Sequence, residues 1–354
     1  MKIITVPAET EPAFPVSEFA PENEILFFDI ETTGLRRETT QVYLIGCAYM
    51  REEQWWIRQY LAESALDEQE IMEAFCEFAK DFKTLIHFNG DGFDIPYLAY
   101  KAEYYNFDLD FEQFQSIDMY KLAKPLKKIL GLESLKQKSI ECFLGICRED
   151  TYGGGALIPV YYEFERSADP EAERLLLLHN FDDVKGMLSL TEILNYVQLA
   201  DGEFTFERLE TAKGFAIFEY RLKNALSSGF ERESRNGEAV ISAENSLLQI
   251  SVRIFEGVAK LPLEDVENYY YLPEEDRVIH KDVGQFVDRA HRKKATKKNC
   301  FLKKEGQFLP QKKILFTPAF QIEGEKRKTF FELTEAVSDN HRSLIEYALD
   351  IMNF

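Results

Sequence analysis

Four apolar residues, Ile25-Leu26-Phe27-Phe28, run straight into the carboxylates Asp29 and Glu31 and then into Thr32-Thr33-Gly34-Leu35. Pro21 before the run and Gly34 after it leave too little room for a helix, so the stretch reads as a buried strand. Side chains two apart on a strand share a face, which sets Asp29 and Glu31 side by side at its C-terminal end. Neighbouring carboxylates repel unless a cation lies between them, and a hard divalent ion suits two oxygen ligands. The competing reading is a strand end with solvated charge, since this chain is acidic throughout.

The pattern over residues 24–198 fits a mixed α/β layer. Residues 42–50 and 54–60 read as strands joined by Arg51-Glu52-Glu53, and 84–88 reads as another. Between them, Ile71, Phe75, Phe78 and Phe82 recur at steps of three and four, which predicts a helix over 67–82. A long helical run covers 170–199. Strands first, then helix, strand and helices, is the order of a mixed sheet flanked by helices. Residues 1–23, rich in Pro and Glu, read as a loose leader. Residues 203–354 read as a smaller α+β domain, with strands at 247–255, 269–272 and 301–308 and a closing helix over 330–352.

At 354 residues the chain is long enough for two domains, and 45% hydrophobic residues rule out global disorder. The net charge is -20, concentrated in residues 1–200, where 18 Lys+Arg face 36 Asp+Glu; residues 201–354 hold 24 against 26. Net charge governs long-range steering rather than the field at one site, so it does not exclude a nucleic-acid partner. The five cysteines form no CxxC pair and no zinc-ligand spacing, and the amino terminus has no apolar signal core. No run reaches the length of a membrane span. These features predict a cytoplasmic protein without membrane contact.

Two further motifs carry acids. In His87-Phe88-Asn89-Gly90-Asp91-Gly92-Phe93-Asp94-Ile95-Pro96 an apolar strand enters a glycine turn, and Asp94 stands where a helix begins. A simple helix-capping aspartate is the alternative there. In His179-Asn180-Phe181-Asp182-Asp183-Val184, His179 and Asp183 lie four apart on a helix and project together; a surface His–Asp pair is the alternative. A histidine so placed can take a proton from water near neutral pH.

Taken together, acids at 29, 31, 94 and 183 in these settings resemble the motifs of the DnaQ-like, or DEDD, exonuclease superfamily of the ribonuclease H-like fold. Ser116-Ile117-Asp118-Met119-Tyr120, Leu132-Glu133-Ser134-Leu135-Lys136 and Phe143-Leu144-Gly145-Ile146-Cys147-Arg148 are similar to blocks of its YprB-like branch. The resemblance covers residues 24–198. It implies a metal-dependent 3′–5′ exonuclease with two Mg²⁺ or Mn²⁺ ions held by Asp29, Glu31, Asp94 and Asp183. It also implies that Thr32, Thr33, Gly34, Leu35 and Asn89 face the nucleic acid, DNA ahead of RNA, in repair or turnover. The superfamily places a tyrosine four residues before the last acid or a histidine five before it; here His179 takes the tyrosine spacing, and Leu178 stands five before. His179 as general base therefore joins the residue type of one class to the register of the other. An RNA-trimming exoribonuclease remains open, as does a catalytically silent module that grips nucleic acid or a helicase partner.

In the C-terminal half, Arg289, Arg292, Lys293, Lys294, Lys297, Lys298, Lys303, Lys304, Lys312 and Lys313 stand near Tyr269-Tyr270-Tyr271, Phe286, Phe301 and Phe308. Cations that neutralise phosphate beside aromatics that stack bases suit a single-strand guide, with Lys293, Lys294, Lys297 and Lys298 at its centre. A solvated face with core tyrosines is the alternative. Tyr152-Gly153-Gly154-Gly155 lacks the lysine of a phosphate loop and reads as a flexible connection beside the site.

Overall fold

The computed structural model describes residues 1–146, 153–234 and 237–353. The chain divides into two compact units, Met1–Val197 and Gln198–Phe354.

The first unit is built on a six-stranded sheet: β1 Lys2–Pro7, β2 Ile25–Thr32, β3 Val42–Arg51, β4 Gln54–Leu61, β5 Thr84–His87 and β6 Gln115–Asp118, in the order β1-β4-β3-β2-β5-β6. The strands β1, β4, β3 and β2 pair antiparallel, and β5 and β6 are added parallel. This is the expected mixed sheet. The first residues are not loose: β1 pairs with β4 from Lys2↔Leu61 to Pro7↔Trp56. Its side chains alternate between half-buried and exposed, the mark of an edge strand, and only Ile3, Ile4 and Val6 signal it against the Pro- and Glu-rich stretch after it.

The strand β5 pairs with β2 only from Ile25 to Phe27, whereas β2 continues to Thr32. Beyond Phe27 the sheet has a step, and backbone groups on that side of β2 need other partners.

The helices are α1 Glu68–Ala79, α2 Asp94–Tyr105, α3 Met119–Ala123, α4 Leu126–Ile129, α5 Gln137–Leu144, α6 Gly154–Ser167, α7 Pro170–Leu190 and α8 Leu194–Asp201, the division between units falling within α8. Of the predicted stripe, Ile71 and Phe75 are buried in α1, Phe78 is half-buried and Phe82 lies beyond the helix, which ends at Ala79; Phe75 meets Phe28 and Tyr60 with ring centroids 6.2 Å away in each case. In α7, Pro170 fills the first turn, where a missing N–H costs nothing, and the Asp169 side chain accepts from Glu171 N. The single run predicted over 170–199 is interrupted at Thr191–Ile193, where the Thr191 hydroxyl turns back to Leu188 O at 2.6 Å. The glycines read as a flexible loop instead open α6 at Gly154; Tyr152 lies outside the described residues, as do Cys147 and Arg148.

A buried ion pair ties α2 to α1. Lys101 Nζ lies 2.9 Å from Glu68 Oε1 and donates to Thr40 O at 2.8 Å. Glu68 also accepts from Val42 N at 2.8 Å and from the Tyr105 hydroxyl at 2.7 Å.

The second unit has strands β7 Phe204–Ala212, β8 Phe215–Glu233, β9 Ala239–Arg253, β10 Phe255–Pro262, β11 Tyr269–Leu272, β12 Arg277–His280, β13 Lys293–Lys294, β14 Phe301–Gln311 and β15 Thr329–Glu332. They form three sheets, ordered β7-β8-β9, β10-β14-β15 and β12-β11-β13. Its helices are α9 Lys281–Gly284 and α10 His341–Met352. The closing helix predicted over 330–352 is corrected: Phe330 and Phe331 lie in β15, paired to Pro310 and Leu309 of β14, and α10 starts only where the Asn340 side chain accepts from Ser343 N at 3.2 Å. Among the described residues, no helix is long and apolar enough to cross a membrane.

Candidate active site

The strand β2 delivers Asp29 and Glu31 to the face on which α7 lies. Asn180 Nδ2 donates to Asp29 Oδ2 at 3.3 Å, and His179 Nε2 stands 3.2 Å from both Glu31 Oε1 and Asp183 Oδ2. His179 and Asp183 thus share a helix face as their spacing predicts, but the face looks inward, and His179 is buried. Asp94 arrives from the side of the step. It is the first residue of α2, and its Oδ1 accepts from Ile30 N at 3.2 Å, supplying the acceptor that β5 is too short to offer. The carboxylate thus serves the sheet as well as the backbone N–H at its own helix start.

The four acids form one electrostatic group. Burial among protein atoms pushes the Asp29 carboxyl well above its usual range, and the charges of Asp183, Asp94 and Glu31 push it further. Burial likewise pushes Asp94 up to about 7, with Glu31 and Asp118 adding to the rise and the Ile30 N–H opposing it. Such a cluster holds negative charge at a cost unless a cation joins it. Hard oxygen donors crowded in this way fit a divalent ion such as Mg²⁺ or Mn²⁺.

The turn after β2 closes on itself. The hydroxyls of Thr32 and Thr40 both donate to Gly34 O at 2.9 Å, and Thr33 Oγ1 accepts from Gln41 N at 2.9 Å. A Cβ on Gly34 would come within 2.8 Å of Thr40 Cγ2, so the turn needs glycine there. The hydroxyls of Thr32 and Thr33 are thus used internally, and Leu35, 85% exposed, is the large apolar side chain the turn offers to solvent. Asn89 adopts a left-handed conformation, φ 64°, with its N–H held by Asp118 Oδ1 at 2.8 Å.

Among the described residues, two groups bring ligand atoms close enough for a metal: Glu31, His179 and Asp183, and a second set of His87, Asp91 and Asp118. The second is committed to hydrogen bonds. Gly90 N donates to His87 Nδ1 at 3.0 Å, so the ring proton of a neutral His87 sits on Nε2, 2.8 Å from Ser116 Oγ. Asp91 is bonded to Ser116 Oγ at 2.5 Å and to Lys121 Nζ at 2.6 Å. Neither His87 nitrogen has a lone pair to spare, and this group braces the turn that leads into Asp94.

In the second unit, Lys293 and Lys294 are exposed on β13, opposite Tyr271 and Tyr270, and Lys297 and Lys298 are exposed in the turn after it. The tyrosines are engaged within the unit: Tyr269 meets the His280 ring edge-on at 5.4 Å, Arg292 lies 4.6 Å over Tyr270, and the Tyr271 hydroxyl donates to Asp276 at 2.7 Å. Phe308 is core, whereas Phe286 is 85% exposed. Lys303 and Lys304 pair with Asp276 and Glu332.

Residues 26–195 match the sequence model of the RNase_H superfamily. That stretch lies within the first unit, whose mixed six-stranded sheet flanked by helices is RNase H-like. The chain is similar to the uncharacterized protein YprB of Bacillus subtilis (strain 168), with 29% identity over 177 residues. That match takes in 48% of this chain and 41% of the relative, so the chain spans well under two thirds of YprB. Among solved structures, the family B DNA polymerase of the archaeon Pyrobaculum calidifontis aligns with 74% of this chain and 40% of its own, at 15% identity and a TM-score of 0.41. Exonuclease I of E. coli in complex with a dT13 oligonucleotide aligns with 62% and 55%, at 11% identity and a TM-score of 0.32.

Sequence reasoning singled out the four acids and His179 but assigned no role to Asn180, which lies inside a quoted motif and donates to Asp29.

Proposed function

We propose that this chain is a divalent-metal-dependent exonuclease that hydrolyses phosphodiester bonds from the 3′ end, acting on DNA in cytoplasmic repair or turnover. The observation that carries the reading is the gathering of Asp29, Glu31, Asp94 and Asp183, from three separate elements, in an RNase H-superfamily domain. A binder alone has no use for such a repulsive group. Direction and polymer rest on the family resemblance.

Asp29, Glu31, Asp94 and Asp183 would hold two ions, Mg²⁺ or Mn²⁺, which when bound supply positive charge to the attacking and leaving oxygens of a displacement at phosphorus. The chain's own groups do the rest. His179 takes a proton from the attacking water at Nε2, where Glu31 and Asp183, each at 3.2 Å, set opposite charge on both sides of it. The turn from Thr32 to Leu35 lies against the terminal nucleotide, with Leu35 reaching a base and Asn89 opposite. Lys293, Lys294, Lys297 and Lys298 of the second unit neutralise backbone phosphates.

The test offers end-labelled single-stranded DNA, duplex DNA and RNA to the full chain with Mn²⁺, using Asp29→Ala as the blank. Label released from DNA by the parent and not by the variant is the expected outcome. Release from RNA alone would make the enzyme an exoribonuclease. Equal release by both proteins would remove the assignment.

A further inference from the structure

One row of residues crosses the sheet beneath α7, and its middle position has no side chain. Asp29 of β2 is registered opposite Gly46 of β3, and Gly46 opposite Gln59 of β4. Neighbouring strands lie about 4.8 Å apart, so roughly 10 Å separates the Asp29 and Gln59 backbones. The Asn180 amide, fully buried, fills the gap over Gly46: a Cβ there would stand 2.1 Å from Asn180 Oδ1 and 2.8 Å from Val184 Cγ2. From this slot the amide reaches both ends of the row. Gln59 Nε2 donates to Asn180 Oδ1 at 3.0 Å, and Asn180 Nδ2 donates to Asp29 Oδ2 at 3.3 Å.

A third bond fixes the direction. Gln59 Nε2 also donates to Leu177 O at 2.9 Å, and a carbonyl can only accept, so that end of the Gln59 amide carries the hydrogens. Asn180 must then turn its oxygen to Gln59 and its N–H to Asp29.

We infer that Asn180, oriented by Gln59 and admitted by Gly46, is a positioning residue that fixes which oxygen of Asp29 is left to a divalent cation. The inference rests on the metal-dependent reading above. A neutral amide suits this task because it restrains a carboxylate at Oδ2 without neutralising it. An ammonium would occupy the charge the cation needs, as Lys121 does at Asp91, 2.6 Å away.

The test is thermal unfolding of the full chain titrated with Mn²⁺, for the parent, Asn180→Leu and Gln59→Met, and then oligonucleotide cleavage. Asn180→Leu should raise the Mn²⁺ concentration for half-maximal stabilisation roughly 10- to 100-fold, the usual cost of losing a group that orients a ligand. Gln59→Met, which touches nothing at Asp29, should raise it by a smaller factor. Both should lower kcat and leave KM for the oligonucleotide unchanged. A packing role alone would lower the melting temperature without metal and leave the Mn²⁺ midpoint where it was, and that result overturns the inference. If Asn180→Leu does not fold, an unchanged midpoint in Gln59→Met overturns it equally. A parent that ignores Mn²⁺ removes the metal reading and this inference together, whereas a responsive parent with unmoved variants removes the inference alone.

Discussion

Asp29 and Asp94 carry carboxyls raised above their ordinary values, Asp94 to about 7, and the consequence for stability has a definite sign. In the unfolded chain both ionise near pH 4; in the metal-free fold they hold their protons longer, so the fold binds more protons across that interval. Their contribution to stability is therefore present below about pH 4 and lost as pH rises toward 7. A divalent cation favours the ionised acids and offsets the loss. Stabilisation by Mn²⁺, read as the shift in melting temperature against EDTA, should be larger at pH 8 than at pH 5.5. Equal shifts at the two pH values would count against the site. His179 is tested by His179→Phe, which should slow cleavage roughly 10²- to 10⁴-fold if the imidazole moves a proton. Cleavage at the parent rate would strip it of that role. The four acids and His179 were legible because each sits in a local pattern, a strand end, a helix start or a helix face. Asn180 and Gln59 were not, because their meaning lies in a register between strands distant in sequence.

At the scale of elements, the Glu68–Lys101 pair fixes α2, and hence Asp94, against α1 and the end of the Thr32–Gln41 turn. Its hydrogen bonds satisfy both partners, so removing Lys101 leaves the buried Glu68 charge with only neutral donors, Val42 N–H and the Tyr105 hydroxyl. Lys101→Met should cost about 3–5 kcal/mol in urea unfolding, and the double change with Glu68→Leu much less. A single variant as stable as the parent would show the pair to be dispensable. Neither residue was legible beforehand, since α1 reveals its apolar stripe and hides a buried acid at its start. Strands β3, β4 and β11 were read within a residue of their ends, having sharp charged or polar borders. The hairpin of β7 and β8 was missed: Ala216, Phe218, Tyr220 and Leu222 alternate inward, but charged residues between them, such as Glu219 and Arg221 paired across to Arg208 and Glu207, mask the apolar signal. The segment 330–352 misled because Phe330 and Phe331 continue a pattern that α10 takes up only at His341.

For the molecule as a whole, the division of charge predicts a division of labour. Acids crowd the first unit, while the second is nearly balanced and carries exposed lysines at 293, 294, 297 and 298. Replacing these four with glutamine should weaken single-strand binding and flatten its dependence on salt. The log–log slope should fall by about 0.7 for every phosphate no longer neutralised. A slope that does not move would leave the lysines as solubilising charge. The sequence pattern changes near residue 200, and the compact units divide between Val197 and Gln198, whereas β1 hid in a stretch whose prolines outweigh its short apolar run.

The step left where β5 ends has a lasting consequence for the lineage of such a chain. Of the acids gathered there, Asp94 also completes the backbone bonding of β2, through Ile30. Asp29 brings the folded chain a buried carboxyl and the repulsion of its acidic neighbours. Mutants screened for heat resistance alone, with metal withheld, should therefore replace Asp29 sooner than Asp94.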